Sequence, residues 1–479
     1  MNASRSARRR PAAAIPKEHR LARPGPGMAF RLAAVVLALC CVVVRRNHIA
    51  IISTPGVEHR RYSMASAIHT CRIGNETVTI PTSAPRFVII GAMKAGTSSL
   101  FRYLLDHPDA VPTLNWSTKN STEIHFFDLK FPWAARKRFD SDDDFHCHVR
   151  KVYAQTQYDY PTLLADATNG TGASSRLFSF DKTPKYITDA GRLPRLLRQV
   201  LPWMDRVVVS LRNPVDRAYS QFNFENRRLG SSLADAFHVR VKEEIVFMAH
   251  AGLINITSAF PDEAASLPSE DFSGLYWESL PERAREAATF LGHDNKSWDE
   301  GKDIPLYKEA DLDSEQLSAI ALLGVQDYVP GYYFAKVQQE KENGADSSPK
   351  FHWNSLDAFQ EAAAFTKIRT AYLGRGLYAI QLRQWLEQYP IGNFFVANFD
   401  ELDRTEGSAR NVFVKLLHFL GLREYDVSDA LFRKHNAFEY VVPMHNTTRR
   451  ILQELYRSQN QRLESVLGKE WKCIWECCK

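Results

Sequence analysis

The chain has 479 residues, and its apolar and charged fractions, 44% and 24%, are typical of a folded globular protein and not of a disordered one. The net charge is +6, but residues 1–31 hold eight basic residues against the single acid Glu18, so the remainder is close to neutral. This distribution gives no indication of a nucleic-acid partner, although a local basic cleft for an anionic polymer is compatible with it. The length suits one large α/β domain with extensions.

The N-terminal residues predict a membrane anchor. Residues 32–44 are uninterruptedly apolar, which is short for a membrane span of about 20 residues, and basic residues before them favour a cytosolic N-terminus. A cleaved secretory signal or an organelle transit peptide is the alternative. We predict a disordered basic cytosolic tail over residues 1–27, a signal-anchor helix over 28–46, a stem over 47–85 and a lumenal catalytic domain over 86–479.

Features beyond the apolar run are compatible with a lumenal glycoprotein. Triplets of the form N-x-[ST] are acceptors for N-linked glycans in secreted proteins. Five of the seven cysteines also lie beyond the run, so at least one of these five is unpaired or pairs between chains. The spacing of Cys and His residues predicts no metal site. The triplets begin at Asn75, Asn115, Asn120, Asn169, Asn255, Asn295 and Asn446.

Residues 87–100 predict a buried strand, a phosphate-binding loop and the start of a helix in one run. Gly91 and Gly96 have the G-x-x-x-x-G spacing of nucleotide triphosphatases, but Thr97 occupies the position of the Walker lysine and Lys94 lies inside the loop instead. Backbone N–H groups of such a loop point at an anion, and the helix dipole favours negative charge there. We predict that a 5′-phosphate binds to Lys94, Ala95, Gly96, Thr97, Ser98 and Ser99.

Two polar segments follow this loop. Residues 123–128 predict a short strand in which Glu123 and His125 point to one face. The alternative is a half-buried strand whose polar face is only solvated. Residues 181–187 are rich in turn-forming residues and contain Lys182, and Pro184 could begin a helix there.

Residues 206–222 predict a second buried parallel strand and a following helix. Pro214 begins that helix, so Ser220 lies one to two turns into it. Arg212, at the end of the strand, can bind a phosphate through two N–H groups. Alone, this pattern would also fit a helix start with surface arginines.

These segments resemble sulfotransferases that use 3′-phosphoadenosine 5′-phosphosulfate (PAPS). The loop pattern G-x-x-K-x-G-T-[ST] is similar to their 5′-phosphosulfate loop, and strand-R-N-P-x-x-R-x-x-S is similar to their 3′-phosphate element. The strongest likeness is to heparan sulfate glucosaminyl 3-O-sulfotransferases and related enzymes that act on chondroitin-type chains. It covers roughly residues 87–221, resumes around 374–402 and continues weakly to the end.

The resemblance implies a fold, a reaction and a location. The fold is an α/β domain with a P-loop-like parallel sheet flanked by helices. The reaction is transfer of a sulfuryl group from PAPS, without a metal, to a hydroxyl or amino group of a glycan, with a glycosaminoglycan-like polysaccharide as the expected acceptor. The location is the Golgi membrane, with a single-pass type II topology.

The resemblance also implies roles for single residues. Glu123 becomes the catalytic base, and Lys182 joins Lys94 as a cationic catalyst at the sulfuryl group. His125 and Asp128 become supporting polar residues near the acceptor. The 3′-phosphate is assigned to Arg212 and Ser220.

The chain departs from this family in two places. The disulfide-closed loop that contacts the cofactor near the C-terminus cannot form in the same way, because no cysteine lies between Cys147 and Cys473. Lys434 lies in the corresponding region and is a candidate for cofactor contact. The second departure is an insertion over about 230–371, with predicted helices near 233–251 and 314–323. Its aromatic residues could line a sugar cleft or form its own core: Tyr328, Tyr332, Tyr333, Phe334 and Trp353.

Other functions stay open at this point. Within sulfotransferases, the acceptor could be a protein tyrosine or a small molecule. A P-loop kinase or nucleotide triphosphatase is a second alternative, which Thr97 in the lysine position disfavours. The third is an inactive glycan-binding homologue that keeps the fold.

Overall fold

A computed structural model describes residues between 67 and 475, with gaps. The predicted tail (1–27), the predicted anchor (28–46) and Lys434 lie outside the described residues. No helix within the described part is long and apolar enough to cross a membrane. The described residues are 67–130, 138–169, 176–250, 252–256, 277–299, 312–323, 332, 351–353, 371–425, 427–432, 440, 442–472 and 474–475.

The described strands are β1 (Ile68–Ile73), β2 (Glu76–Pro81), β3 (Phe87–Gly91), β4 (Phe180–Lys182), β5 (Arg206–Leu211), β6 (Ile254–Ile256), β7 (Phe351–Trp353) and β8 (Phe394–Asn398). The described α-helices are α1 (Thr97–Leu105), α2 (Leu114–Lys119), α3 (Asp142–Gln157), α4 (Tyr160–Asn169), α5 (Leu193–Val200), α6 (Pro214–Glu225), α7 (Leu233–His250), α8 (Glu282–Phe290), α9 (Asn295–Asp299), α10 (Ser314–Leu323), α11 (Tyr378–Leu386), α12 (Phe399–Arg404), α13 (Glu406–Leu420) and α14 (Asn446–Leu467).

Four parallel strands form the central sheet, in the order β4-β3-β5-β8. Phe87 of β3 lies opposite Phe180 on one side and Arg206 on the other, and Val207 of β5 lies opposite Phe394. This confirms the predicted α/β fold with a parallel sheet flanked by helices. Because parallel strands end at the same edge, the segments that follow β3, β4 and β5 meet there, and ligands bind at that edge in open α/β sheets.

Apolar side chains cover both faces of the sheet, which explains the unbroken apolar runs of the strand sequences. Val88 and Ile90 share one hydrophobic cluster with residues of α3, α5 and α11. Phe87 and Ile89 point to the opposite face, where they share another cluster with residues of α1 and α13. The site edge is therefore carried by a buried and rigid support.

A hairpin of β1 and β2 packs on α3 beside the sheet. A disulfide between Cys71 of β1 and Cys147 of α3 joins the two, with 5.8 Å between their Cα atoms. The sequence analysis left the cysteine pairing open. The predicted stem, residues 47–85, thus includes a folded hairpin.

The described parts of the insertion pack against the sheet domain. The helices α7 and α10 occupy the two predicted helical segments, and Phe237 of α7 contacts Tyr219 and Phe222 of α6, with 5.0 and 5.2 Å between ring centres. Tyr332 is fully buried and its hydroxyl donates to Glu243, so this tyrosine belongs to the core and not to an open cleft. Tyr328, Tyr333 and Phe334 lie outside the described residues.

Candidate active site

The loop after β3 is fixed to its neighbours by close backbone contacts. A Cβ at Gly91 would lie 2.6 Å from Cγ2 of Ile187, so only glycine fits there. Ala92 N–H donates to the Ser210 carbonyl oxygen at 2.8 Å, and Ser210 Oγ donates to the Ala95 carbonyl oxygen at 2.6 Å. The loop thereby lies against the end of β5.

The loop leads directly into α1. Gly96 is in the left-handed region with φ 81°, which glycine adopts without strain, and it caps the helix that begins at Thr97. The first N–H groups of a helix have no partner within it, so they face the loop as anion donors. Ala95 and Thr97 are buried, while Ser98 and Ser99 are partly exposed. Residues 94–99 therefore form the loop and helix start that the sequence predicts.

Arg212 connects the two sequence elements that the analysis assigned to one ligand. Its Nη1 donates to the carbonyl oxygen of Lys94 at 3.1 Å, and its guanidinium lies 4.5 Å from the ring centre of Phe399. Its Nη2 donates to the hydroxyl of Tyr440 at 3.1 Å. Ser220 lies on the following helix, α6, and is largely buried. The structure thus brings Arg212 to the loop, as expected.

A cluster of cations surrounds the loop lysine. The Nζ of Lys94 lies 4.1 Å from the ring centre of Phe224, and the guanidinium of Arg227 lies 4.6 Å from the same ring. Burial and the positive charges of Arg212 and Arg227 lower the pKa of Lys94 to about 8, against the opposing effect of Glu225. An anion bound here would relieve this repulsion, so the residues present fit a phosphosulfate group. Sequence reasoning missed Phe224 and Arg227, because one exposed aromatic and one arginine at a helix end carry no motif.

Glu123 and Lys182 form an ion pair beside the end of β4. Lys182 has a fully buried side chain, and its Nζ donates to Glu123 Oε1 and to Thr122 Oγ1, both at 2.9 Å. Glu123 Oε2 lies 2.9 Å from Nε2 of His125, whose Nδ1 lies 2.9 Å from Asp128 Oδ2. The structure therefore joins the four polar residues that the family resemblance implies.

Charge pairing sets the protonation of this group. Burial raises the pKa of Glu123, but the hydrogen bond from His125 and the charge of Lys182 outweigh it and bring the pKa to about 2. Hydrogen bonds to Asp128 and Glu123 raise the pKa of His125 to about 9. At neutral pH, Glu123 is therefore a carboxylate and His125 an imidazolium. A carboxylate held so firmly becomes an effective base only when a partner is drawn away.

The predicted strand over residues 123–128 is wrong. Residues 123–125 have no regular structure, His125 has a φ of 52°, and a π-helical turn follows over Phe126–Lys130. Phe126 and Phe127 are both buried, which alternation cannot achieve. The helical turn instead returns Asp128 to His125, three residues back.

A buried network lies next to the pair of Glu123 and Lys182 and was not predicted. Asp181 is fully buried and accepts hydrogen bonds from Tyr153 at 2.7 Å, Tyr186 at 3.0 Å and Thr183 at 2.7 Å. Burial raises its pKa to about 6. Thr183 Oγ1 also accepts from the backbone N–H of His125 at 3.2 Å. The network therefore supports the positions of Lys182 and His125 from below, through tyrosines that are distant in sequence.

One predicted glycan acceptor belongs to the site. The Nδ2 of Asn115 donates to the Glu123 carbonyl oxygen at 3.0 Å. A glycan would be attached to this same atom and would leave one N–H for the hydrogen bond. The asparagines of the other six triplets are exposed.

No protein-family model matches the chain. The chain is 21% identical over 393 residues to the membrane-associated sulfotransferase kil1 of Dictyostelium discoideum, covering 81% of this chain and 66% of kil1. It therefore spans just under two thirds of the length of that relative.

Two solved structures also match. A sulfotransferase from Alicyclobacillus acidocaldarius matches with a TM-score of 0.34 at 18% identity. The match covers 80% of this chain and 95% of the Alicyclobacillus chain. A sulfotransferase domain from the curacin biosynthetic pathway has a TM-score of 0.26 at 9% identity and covers 81% and 94%. Kil1 is described as a sulfotransferase, which is the enzyme class that the sequence predicts for this chain.

Proposed function

We propose that this chain is a sulfotransferase that transfers a sulfuryl group from PAPS to a hydroxyl or amino group of a glycosaminoglycan-like glycan. One observation carries this proposal. The loop that contains Lys94, the strand-end residue Arg212 and the pair of Glu123 with Lys182 all lie at the carboxyl edge of three adjacent parallel strands. A donor site with two phosphate contacts and a base–cation pair thereby share one edge.

The cations of the edge would hold the donor. PAPS supplies an activated sulfuryl group on a phosphate leaving group. Lys94 and the N–H groups of residues 96–98 would bind the 5′-phosphosulfate, since the N–H of Ala95 donates to the Ala92 carbonyl oxygen at 3.2 Å. Arg212 with Ser220 would bind the 3′-phosphate. The like charges that lower the pKa of Lys94 support this assignment, because they favour a bound anion. Lys434 stays a candidate for the same ligand.

The pair at β4 would carry the proton transfer. The oxygen of the acceptor hydroxyl attacks the sulfur atom in line with the phosphate oxygen that leaves, and Glu123 accepts the proton of that hydroxyl. An anion beside Lys182 competes with Glu123 for the ammonium group, and this competition raises the pKa of Glu123 and makes it a better base. Lys94, Lys182 and the loop N–H groups stabilise the negative charge that develops on the leaving oxygen.

The finer assignments rest on sequence. The glycan acceptor is supported by the likeness of residues 123–128 and 181–187 to glycosaminoglycan sulfotransferases. Membrane attachment is supported by the apolar residues 32–44 and by the description of kil1 as membrane-associated. We therefore propose a single-pass type II Golgi protein with a lumenal site.

Ligand-dependent stability tests the proposal. The full chain in detergent is titrated with adenosine 3′,5′-bisphosphate and with 5′-AMP, because a ligand that binds only the folded state raises the melting temperature. We expect stabilisation by the bisphosphate and not by AMP. Arg212→Gln should weaken bisphosphate binding roughly ten- to hundredfold, whereas Arg383→Gln, an exposed arginine on α11, should not.

Activity then separates the alternatives. Sulfate transfer from PAPS is measured with heparan- and chondroitin-type chains, a tyrosine peptide and a small phenol. Transfer to the peptide or the phenol alone would replace the glycan acceptor. Hydrolysis of ATP that depends on Mg²⁺, without binding of the bisphosphate, would move the assignment to a nucleotide triphosphatase.

A further inference from the structure

A short turn after the insertion is held firmly against the site. The 3₁₀ turn Gly374–Gly376 packs on the start of α6, where a Cβ at Gly376 would lie 2.8 Å from Cβ of Pro214. The hydroxyl of Tyr456 on α14 donates to the Leu373 carbonyl oxygen at 2.7 Å. The hydroxyl of Tyr378 donates to the Arg212 carbonyl oxygen at 3.0 Å. The backbone around Arg375 is thereby fixed to the strand end that carries Arg212.

The side chain of Arg375 reaches the anion-binding loop and finds weak partners there. Its Nη1 lies 2.8 Å from Sδ of Met93, the residue before Lys94. A thioether is a weak acceptor for a guanidinium. The Nε of Arg375 is buried, and no hydrogen-bond acceptor for it exists among the described residues. A buried charged donor without a good acceptor is costly.

The nearby acids are engaged elsewhere. Glu225 accepts from Gln221 Nε2 at 3.0 Å and from the Tyr372 hydroxyl at 2.6 Å. Glu244 accepts from the backbone N–H groups of Tyr372 and Leu373 at 3.0 and 2.7 Å. Within the described part of the chain, neither acid forms an ion pair with Arg375; Glu244 pairs with Arg240 instead, and both acids attract the charge of Arg375 only at longer range. The positive charge of Arg375 thus stays available beside the loop.

We infer that Arg375 binds an oxyanion at the mouth of the loop, either the sulfuryl group in transfer or a sulfate or carboxylate on the acceptor. This inference rests on the proposed function. The planar fork of arginine suits both groups, because each offers two oxygens to two N–H donors. Met93 Sδ holds the guanidinium in place until a stronger acceptor replaces it. The chain therefore places a cation, Arg375, at the site directly after the insertion.

The test compares two substitutions at this position with a matched control. Arg375→Gln removes the charge, and Arg375→Lys keeps the charge but removes the fork. Arg383→Gln, an exposed arginine one turn into the next helix, is the control. The full chain is assayed for KM of PAPS, KM of an anionic glycan acceptor, KM of the same glycan after desulfation, and Kd of adenosine 3′,5′-bisphosphate.

We expect Arg375→Gln to raise the KM of PAPS or of the anionic acceptor, or to lower kcat, by roughly ten- to hundredfold, as for loss of a hydrogen bond to a charged group. Arg375→Lys should lose less, and the control should match the wild type. A rise in KM for the anionic acceptor, but not for the desulfated one, identifies an acceptor anion. A rise in KM for PAPS or a fall in kcat, at unchanged Kd for the bisphosphate, identifies the sulfuryl group.

Two results would overturn the inference. The first is wild-type kinetics in Arg375→Gln, or, if that variant does not fold, in Arg375→Met, which also removes the charge. The second is an equal loss in both variants with weaker bisphosphate binding and a lower melting temperature, since this indicates a structural role. Absence of bisphosphate binding by the wild type would instead remove the proposed function, and this inference with it.

Discussion

The loop side and the β4 side of the site arrange charge differently. Around the loop, Lys94, Arg212 and Arg227 bring positive charges together, and the pKa of Lys94 falls to about 8. Beside β4, Glu123 lies between the cations Lys182 and His125. Its pKa falls to about 2, while the pKa of His125 rises to about 9. Burial opposes ionisation on both sides; the neighbouring charges add to its effect at Lys94 and outweigh it at Glu123.

This difference separates two tasks. A set of like charges is completed only by a ligand of opposite sign, so the loop side is suited to hold an anionic donor. A set of paired charges is stable alone, so the β4 side keeps its geometry before any substrate arrives. Because Lys182 belongs to the paired set and lies beside the loop edge, the arrival of an anion can couple the two sides.

The largest effect is expected from Glu123→Gln, which keeps the shape of the side chain and removes the base. Loss of a general base typically costs about 10²–10⁴ in rate, so kcat should fall by that factor. Binding of adenosine 3′,5′-bisphosphate should stay unchanged. Both are measured by steady-state transfer and calorimetry, with Glu387→Gln, an exposed glutamate, as the control. A kcat close to that of the wild type in a folded Glu123→Gln variant would show that Glu123 is not the base.

Lys94→Met should have the next largest effect, because it removes the central charge of the loop cluster. Loss of one electrostatic stabiliser of the transition state costs about 10²–10³ in kcat. Unlike the change at Glu123, this one should also weaken bisphosphate binding. Lys296→Met, an exposed lysine in the insertion, is the control. If bisphosphate binding were unaffected by Lys94→Met, the two sides would not differ as described.

A smaller effect is expected from pH. Lys94 must be protonated to attract an anion, and its pKa in the free site is about 8. The affinity for adenosine 3′,5′-bisphosphate should therefore be nearly constant between about pH 7, where the phosphate groups of the ligand are fully ionised, and about pH 8, and fall above it by up to about tenfold per pH unit. His125 also titrates near pH 9, so Lys94→Met is measured in parallel. A decline of the same size in this variant would assign the pH dependence to another group.

The smallest effect concerns stability on the paired side. The pKa of His125 is raised from 6.5 to about 9, so its contribution to stability is fully present below pH 6.5 and is lost as pH rises through 9. The wild type should exceed His125→Asn in melting temperature at pH 6 by a few degrees, roughly 2–4 °C per kcal/mol. The difference should shrink by pH 9.5. If the difference in melting temperature grew with pH, the pairing of a charged His125 with Glu123 and Asp128 would be contradicted.

The sequence predicted the loop side better than the β4 side. The loop and Arg212 follow apolar strands and lie next to helix starts, so local pattern and ligand chemistry coincide there. The ion pair of Glu123 and Lys182 joins residues 59 positions apart, and only the family resemblance indicated it. Its support by Asp181 and Tyr153 depends on packing between β4 and α3, which no local pattern encodes. Alternation misread residues 123–128, because Phe126 and Phe127 both turn inward.

The bond between Cys71 and Cys147 closes a covalent ring over a separation of 76 residues, and the loop with Lys94 and the proposed base Glu123 both lie within it. Such bonds persist in oxidising compartments and are reduced in a cytosol. Protein purified from a reducing host would therefore share the sequence of the native protein but not its connectivity. The thiol content of each preparation thus becomes a variable to be titrated before activities from different expression systems are compared.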